Sequence, residues 1–155
     1  MGFGPPAALG AKLARPDRVV LSLVGDGGFG QNPSVLATAA EENLAVIWVV
    51  MNNNAYGTIA GLQKSAFGLT YGTTFPSDGD KSVPDYAAIA KAYGIDGVRI
   101  HKASEFKPVL AKAIAAGRPY VIDVAMKNNP TPTAGHWNIL DIYSPGRKVS
   151  HVNTD

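Results

Sequence analysis

Cysteine is absent from the 155 residues. That excludes a disulfide scaffold, a Cys-ligated zinc or iron–sulfur site and a thiol nucleophile, and it fits a reducing compartment. Charge is also scarce: 17% of residues are charged, and 14 Lys and Arg against 12 Asp and Glu leave a formal net charge of +2. So small and dispersed an excess provides no basic surface for nucleic acid or for an anionic membrane. No stretch reaches the roughly 18 uninterrupted apolar residues of a membrane helix. The opening Met1-Gly2-Phe3-Gly4-Pro5-Pro6 has no basic run ahead of an apolar one, as a secretory signal would. These absences leave a cytoplasmic enzyme or binding module for a small molecule as the expectation.

What is present describes one globular unit. Hydrophobic residues make up 46% of the chain, and a chain of this length buries about two thirds of its unfolded surface without disulfides or a structural metal. The 17 Gly and 11 Pro occur without a low-complexity tract, so they mark turns rather than disorder. Val19–Val24 is short, continuous and β-branched, and it ends in Gly25-Asp26-Gly27-Gly28, the pattern of a buried parallel strand and its turn. Pro33–Glu42 is predicted as a helix, with Asn32 as its N-cap and Pro33 at its first position. Ala45–Met51 is a second buried strand, ending in Asn52-Asn53-Asn54. Further helices are predicted over Pro5–Ala14, Pro84–Tyr93 and Lys107–Ala116, the last led in by Ser104, and further strands over Gly97–Ile100 and Tyr120–Ala125. This alternation predicts an α/β fold, a parallel sheet with helices on both faces. Residues 1–126 form the domain, and 127–155 turn polar and Pro-rich as an irregular C-terminal tail.

In open α/β sheets ligands sit beyond the carboxyl ends of the strands. If the first two strands are neighbours, the glycine loop and the Asn52-Asn53-Asn54-Ala55-Tyr56-Gly57 loop face one pocket. Gly25, Gly27 and Gly30 fit the G-x-G-x-x-G of a dinucleotide fingerprint, which also wants an acid at the end of the next strand. Here that strand ends in amides. Asp26 inside the loop would repel a pyrophosphate unless a cation stood between them. A divalent ion such as Mg²⁺ takes hard oxygen ligands; Asp26 supplies a carboxylate, the asparagines neutral amide oxygens, and the glycines close approach of backbone N–H groups to phosphate.

Gly25-Asp26-Gly27 followed by Asn52-Asn53 resembles the GDG…NN motif of thiamine diphosphate-dependent enzymes. Met1–Gly10 is similar to the "GFGLPAAIGA" helix entry of the acetolactate synthase and benzoylformate decarboxylase group, and Met51–Gly57 to its "NN-x-x-YG" segment. The resemblance spans about residues 1 to 125. It implies the thiamine diphosphate-binding fold and Mg²⁺ held by Asp26, Asn53 and the Ala55 carbonyl. Gly27 and Gly28 would donate to the diphosphate, Tyr56 and Gly57 would close its other side, and Met1 would wedge between the cofactor rings. It further implies a 2-keto acid decarboxylase or carboligase of the lyase or transferase type. The activating glutamate would lie on a pyrimidine-binding domain of the same or another chain, in a homodimer or homotetramer. No segment here resembles that domain, and the chain begins at the wedge residue, so the expectation is part of a longer or split enzyme, truncated at its N-terminus, with no catalytic side chain of its own. FAD, if used, would bind elsewhere.

Plainer readings stand beside these. Asp26 alone is a common capping or turn residue. Trp48, Phe106 and Tyr120 are read as core, Glu41 and Glu42 as solvated, and His101 as a surface residue. His136 and Trp137 either cover the active site or pack the tail. Gln63 and Phe67, in the Gly61–Thr74 stretch, are candidates for a substrate channel. A nucleotide-binding module using the glycine loop and a non-catalytic assembly domain are the alternative functions.

Overall fold

The computed structural model describes residues 1–75 and 84–128. Four strands form one parallel sheet in the order β1-β2-β4-β3, with β1 Val20–Gly25, β2 Val46–Asn52, β3 Asp96–Ile100 and β4 Tyr120–Ala125. Strands one and two are neighbours, in register from Val20↔Val46 to Gly25↔Met51. Their carboxyl ends therefore emerge side by side.

Alternation of side chains along the strands divides the core into two layers. On one face Val46, Trp48 and Val50 of β2 pack with Val121 of β4 beneath helices α1 (Gly4–Ala14), α3 (Val35–Glu41) and α5 (Tyr86–Ala92). On the other, Ile47, Val49, Ile100 and Ile122 meet Phe106, Val109, Leu110 and Ala113 of α6 (Ala103–Ala116). Trp48 is fully buried and its indole N–H donates to the Pro5 carbonyl over 3.3 Å, pinning α1 to the sheet. Glycine is needed at 97, where a Cβ would run into the Ala87 backbone, so α5 lies directly on β3.

The α/β architecture and the bounds of all four strands match the sequence reading to within a residue or two, but β1, expected to be buried, is an edge strand with Leu21 and Leu23 exposed; the other departures lie near the strand ends. Asp26–Phe29 forms a single helical turn, α2, where an open turn was expected. The helix expected from Pro33 begins at Val35, behind Ser34, which makes no side-chain cap. Asn32 does not cap it; its amide donates instead to the Gly2 carbonyl over 2.8 Å, a partner thirty residues away that local sequence gives no sign of. An unexpected helix, α4 (Gly57–Phe67), follows the asparagine loop and stops at Gly68 in the left-handed conformation. Glu41, Glu42 and His101 are exposed, whereas Tyr120 is buried and Phe106 partly buried against the core. Among the described residues no helix is long and apolar enough to cross a membrane. His136, Trp137 and all of the tail from residue 129 lie outside the described residues.

Candidate functional site

Asp26 is the first residue after β1 and is buried, with 3% of its surface exposed. One carboxylate oxygen, Oδ1, accepts from the Gly27 N–H at 2.8 Å, and Oδ2 accepts from the Ala55 N–H at 3.1 Å. Burial pushes its carboxyl above the ordinary carboxylate value, and the backbone donors offset only part of that rise. A buried carboxylate with no cationic side chain beside it among the described residues is poised to gain from a metal ion.

The neighbouring strand delivers the other oxygens. Asn52, buried at the end of β2, accepts from the Asn54 N–H through Oδ1 at 3.3 Å, and Asn54 takes the left-handed backbone (φ 53°) that asparagine tolerates. This tight turn aims Asn53 and the Ala55 carbonyl back toward Asp26. One arm of the Asn53 amide lies 3.3 Å from Asp26 Oδ1 and 2.9 Å from the Ala55 carbonyl oxygen, and the other is turned toward Gly57. Without a metal, hydrogen bonding favours the nitrogen in the first position, donating to both oxygens. A cation bound there would turn the amide over and gather its oxygen with those of Asp26 and Ala55. Neighbouring oxygens around an octahedral Mg²⁺ stand about 2.9 Å apart, given metal–oxygen bonds of roughly 2.0–2.1 Å. The set therefore fits a small hard cation. Among the described residues no three His, Cys, Asp or Glu side chains form an alternative metal cluster.

Beside these three groups opens a cavity of about 620 Å³, whose floor is Gly25–Gly28 and whose walls include Asn53, Ala55, Tyr56 and the start of α4. The first N–H groups of α4, at Gly57, Thr58 and Ile59, lack intrahelical acceptors and carry the positive end of the helix dipole toward the cavity. No Lys, Arg or His lines it among the described residues. An anion entering here would be met by backbone N–H groups and by whatever cation Asp26 holds. Glycine is required by packing at 27, where a Cβ would enter the Tyr56 ring, and a Cβ on Gly57 would press on the Asn53 amide, 2.7 Å away. A second cavity of about 490 Å³ lies beyond Asp26, Gly27 and Tyr56, against Tyr86 and Ile89.

Every residue read from sequence as cofactor-binding, Met1, Asp26, Gly27, Gly28, Asn53, Ala55, Tyr56 and Gly57, lines the larger cavity. So do Met51 and Met126, which the sequence reading passed over; all 3 methionines of the chain meet at this one place. Their shared period-two position at adjacent strand ends was the available signal. Gln63 and Phe67 lie elsewhere. Gln63 Oε1 accepts from the Tyr71 N–H and the Thr73 hydroxyl, and its Nε2 donates to the Tyr71 carbonyl, so this side chain clamps a loop. Phe67 ends α4 exposed to solvent and is absent from the walls of both cavities. The clamp matters indirectly, because the Thr73 carbonyl accepts from the Tyr56 N–H at 2.8 Å and Phe75 stacks edge-on against Tyr56, centroids 5.1 Å apart.

The dinucleotide reading fares poorly against this geometry. The glycine loop opens only a four-residue turn instead of a long helix, and β2 ends in Asn52 with no acid to hold a ribose.

Comparison with known proteins points to one family. Residues 1–124 match the family described as thiamine pyrophosphate enzyme, C-terminal TPP binding domain, the pyrophosphate and diphosphate names denoting one cofactor. A probable acetolactate synthase large subunit of Methanococcus aeolicus is 35% identical over 152 residues, 98% of this chain and 23% of its own length. Acetolactate synthase 2, chloroplastic, of Zea mays is 33% identical over 157 residues, 96% of this chain and 25% of its own length. Among solved structures, the Rhodococcus jostii RHA1 thiamine diphosphate-dependent 4-hydroxybenzoylformate decarboxylase superposes with a TM-score of 0.76 at 34% identity, covering 84% of this chain and 24% of that one. The chain thus spans about a quarter of the length of these relatives.

Proposed function

Because the chain belongs to the thiamine pyrophosphate enzymes, as their C-terminal TPP-binding domain, we propose that it holds the diphosphate and Mg²⁺ end of the cofactor in an acetolactate synthase-like 2-keto acid decarboxylase or carboligase. The observation that carries this reading is the convergence of the Asp26 carboxylate, the Asn53 amide and the Ala55 carbonyl at the rim of a cavity that no basic side chain lines among the described residues.

In this reading Asp26 Oδ1, Asn53 Oδ1 and the Ala55 carbonyl hold Mg²⁺. One charged and two neutral ligands leave positive charge on the ion for phosphate oxygens to neutralise. The Gly28 N–H and the start of α4 at Gly57 face the diphosphate, while the Gly27 N–H, which the resemblance assigned to it, is given to Asp26 Oδ1. Tyr56 stands over Gly27 as one wall. Met1 at the mouth, 73% exposed, is available to pack against the cofactor rings, with Met51 and Met126 beside it. When bound, thiamine diphosphate supplies the electron sink that lets a 2-keto acid lose CO₂. The residues described here bind and orient; the proton-transfer role is assigned to a glutamate on a pyrimidine-binding domain of the same or another chain, within a homodimer or homotetramer. FAD has no assigned place in this domain.

Calorimetry on the full chain, alone and together with a pyrimidine-binding partner domain, tests the proposal. Thiamine diphosphate is expected to bind with Mg²⁺ and to lose that binding in EDTA. Binding of NAD in its place would establish the nucleotide module instead, and binding of neither would leave an assembly role.

A further inference from the structure

The two loops that carry Asp26, Asn53 and Ala55 are joined a second time, away from the cavity, by a buried chain of hydrogen bonds. The Tyr86 hydroxyl donates to the Asp26 carbonyl at 3.0 Å, and the Tyr86 N–H donates to Asp123 Oδ2 at 3.2 Å. Asp123 Oδ1 accepts from Asn52 Nδ2 at 3.0 Å, and Asn52 Oδ1 in turn accepts from the Asn54 N–H at 3.3 Å. The Ala55 N–H donates to Asp26 Oδ2 and closes the ring. Tyr86 is the residue that spans it, since its main chain holds the β2–β4 side and its hydroxyl the β1 side. The aromatic ring of Tyr86 is itself fixed by packing, edge-on to Phe29 with centroids 5.4 Å apart. Space for the hydroxyl comes from Gly30, where a Cβ would lie 3.1 Å from the Tyr86 oxygen and 3.1 Å from the Asp26 carbonyl.

We propose that Tyr86 is a positioning residue for the cation site: its hydroxyl, seated in the slot left by Gly30, sets the orientation of the Asp26 turn and so the spacing of Asp26 from Asn53 and Ala55. A carbonyl that accepts two bonds, from Tyr86 and from the Gly30 N–H at 2.8 Å, resists rotation of the α2 turn more than one held by the helical bond alone. The proposal rests on the ligand assignment above, so its test has one arm that needs a metal and one that does not.

In the first arm, Mg²⁺ is titrated calorimetrically into the full chain at fixed thiamine diphosphate, for the unaltered protein, Tyr86→Phe, Gly30→Ala and the double variant. Losing one neutral hydrogen bond corresponds to about a five-fold change in an equilibrium, so Tyr86→Phe is expected to need about five-fold more Mg²⁺. Gly30→Ala is expected to cost at least as much by displacing the hydroxyl. The double variant should lose less than the two single losses combined, because the contact of the added methyl with the hydroxyl has gone while its contact with the Asp26 carbonyl remains. Unchanged Mg²⁺ dependence in Tyr86→Phe, or full additivity of the two changes, overturns the proposal. In the second arm, amide exchange of the Ala55 N–H is followed without metal. Tyr86→Phe is expected to speed it about five-fold, and an unchanged rate overturns the bracing role directly. Faster exchange in the variant, with no Mg²⁺-dependent binding by the unaltered protein, upholds the brace and overturns the functional reading alone.

Discussion

The Ala55 N–H donates to Asp26 Oδ2 over 3.1 Å, so one buried carboxylate ties together the ends of two adjacent parallel strands. The same carboxylate turns its other oxygen toward Asn53. Locating the ligand set between β1 and β2 therefore depends on strand pairing as much as on the identity of Asp26.

Removing the charge at this point is expected to abolish metal-dependent binding while sparing the fold. Asp26→Asn keeps the volume but offers one acceptor where the Gly27 and Ala55 N–H groups need two. Second-sphere changes at metal sites cost roughly 10- to 100-fold, so loss of the one charged ligand should exceed about 100-fold in Mg²⁺ affinity. Calorimetry beside a thermal melt separates that loss from unfolding.

Gly57→Ala separates site from stability in the opposite sense. Alanine is the better helix former, and position 57 begins α4, so the melting temperature should hold or rise. The added methyl would nevertheless crowd the Asn53 amide, 2.7 Å away, and Mg²⁺-dependent binding should fall about ten-fold if Asn53 is a ligand comparable in weight to a second-sphere group. Equal affinity in the variant would remove Asn53 from the ligand set.

Asp123 governs stability and its pH dependence. It is fully buried in β4, accepts from Asn52 and the Tyr86 N–H, and lies 3.7 Å from Arg99. Burial raises its carboxyl above the ordinary value. The folded state thus holds this proton more tightly than the unfolded one, and its contribution to stability falls as pH rises from the unfolded value of roughly 3.9 through the raised folded value. Urea melts of metal-free protein across that range should show the fall, and Asp123→Asn should reduce it, the remainder belonging to Asp26, whose carboxyl burial also raises. The variant should also lose about 2 kcal/mol at neutral pH, since its amide nitrogen would face a donor.

Gln63→Leu tests the loop clamp. Three hydrogen bonds to Tyr71 and Thr73 would go, and partial exposure keeps the expected cost at about 1–2 kcal/mol. Cofactor binding should weaken through Tyr56, while the preference among 2-keto acids in a complete enzyme stays unchanged.

How much of this was legible in the sequence follows from the range of the forces involved. Val46–Asn52 announces itself because a strand buried on both faces is continuously apolar; Val20–Gly25 is as apolar in sequence, although it forms the edge of the sheet with Leu21 and Leu23 exposed. Asp26 and the asparagines were readable as hard oxygen donors at strand ends, whereas Tyr56 was legible only through the resemblance of its segment to a known family. Helix α4 was hidden by Gly57, Gly61 and polar neighbours, whose helical state depends on packing of Ala60 and Gly61 against the domain. Asn32 looks like a cap, yet a bond to Gly2 takes its amide. Asp123 and Tyr86 read as an ordinary strand and helix residue, since the ring that joins them to Asp26 exists only after β4 inserts between β2 and β3.

The most direct measurement is a crystal structure of the chain grown with thiamine diphosphate and Mn²⁺, chosen for its anomalous scattering as a stand-in for Mg²⁺. The account expects one anomalous peak about 2.1–2.2 Å from Asp26 Oδ1, Asn53 Oδ1 and the Ala55 carbonyl oxygen, with diphosphate density against Gly27 and Gly28. Cofactor density with the metal elsewhere, or with the Asn53 amide nitrogen still donating to Asp26, would contradict it.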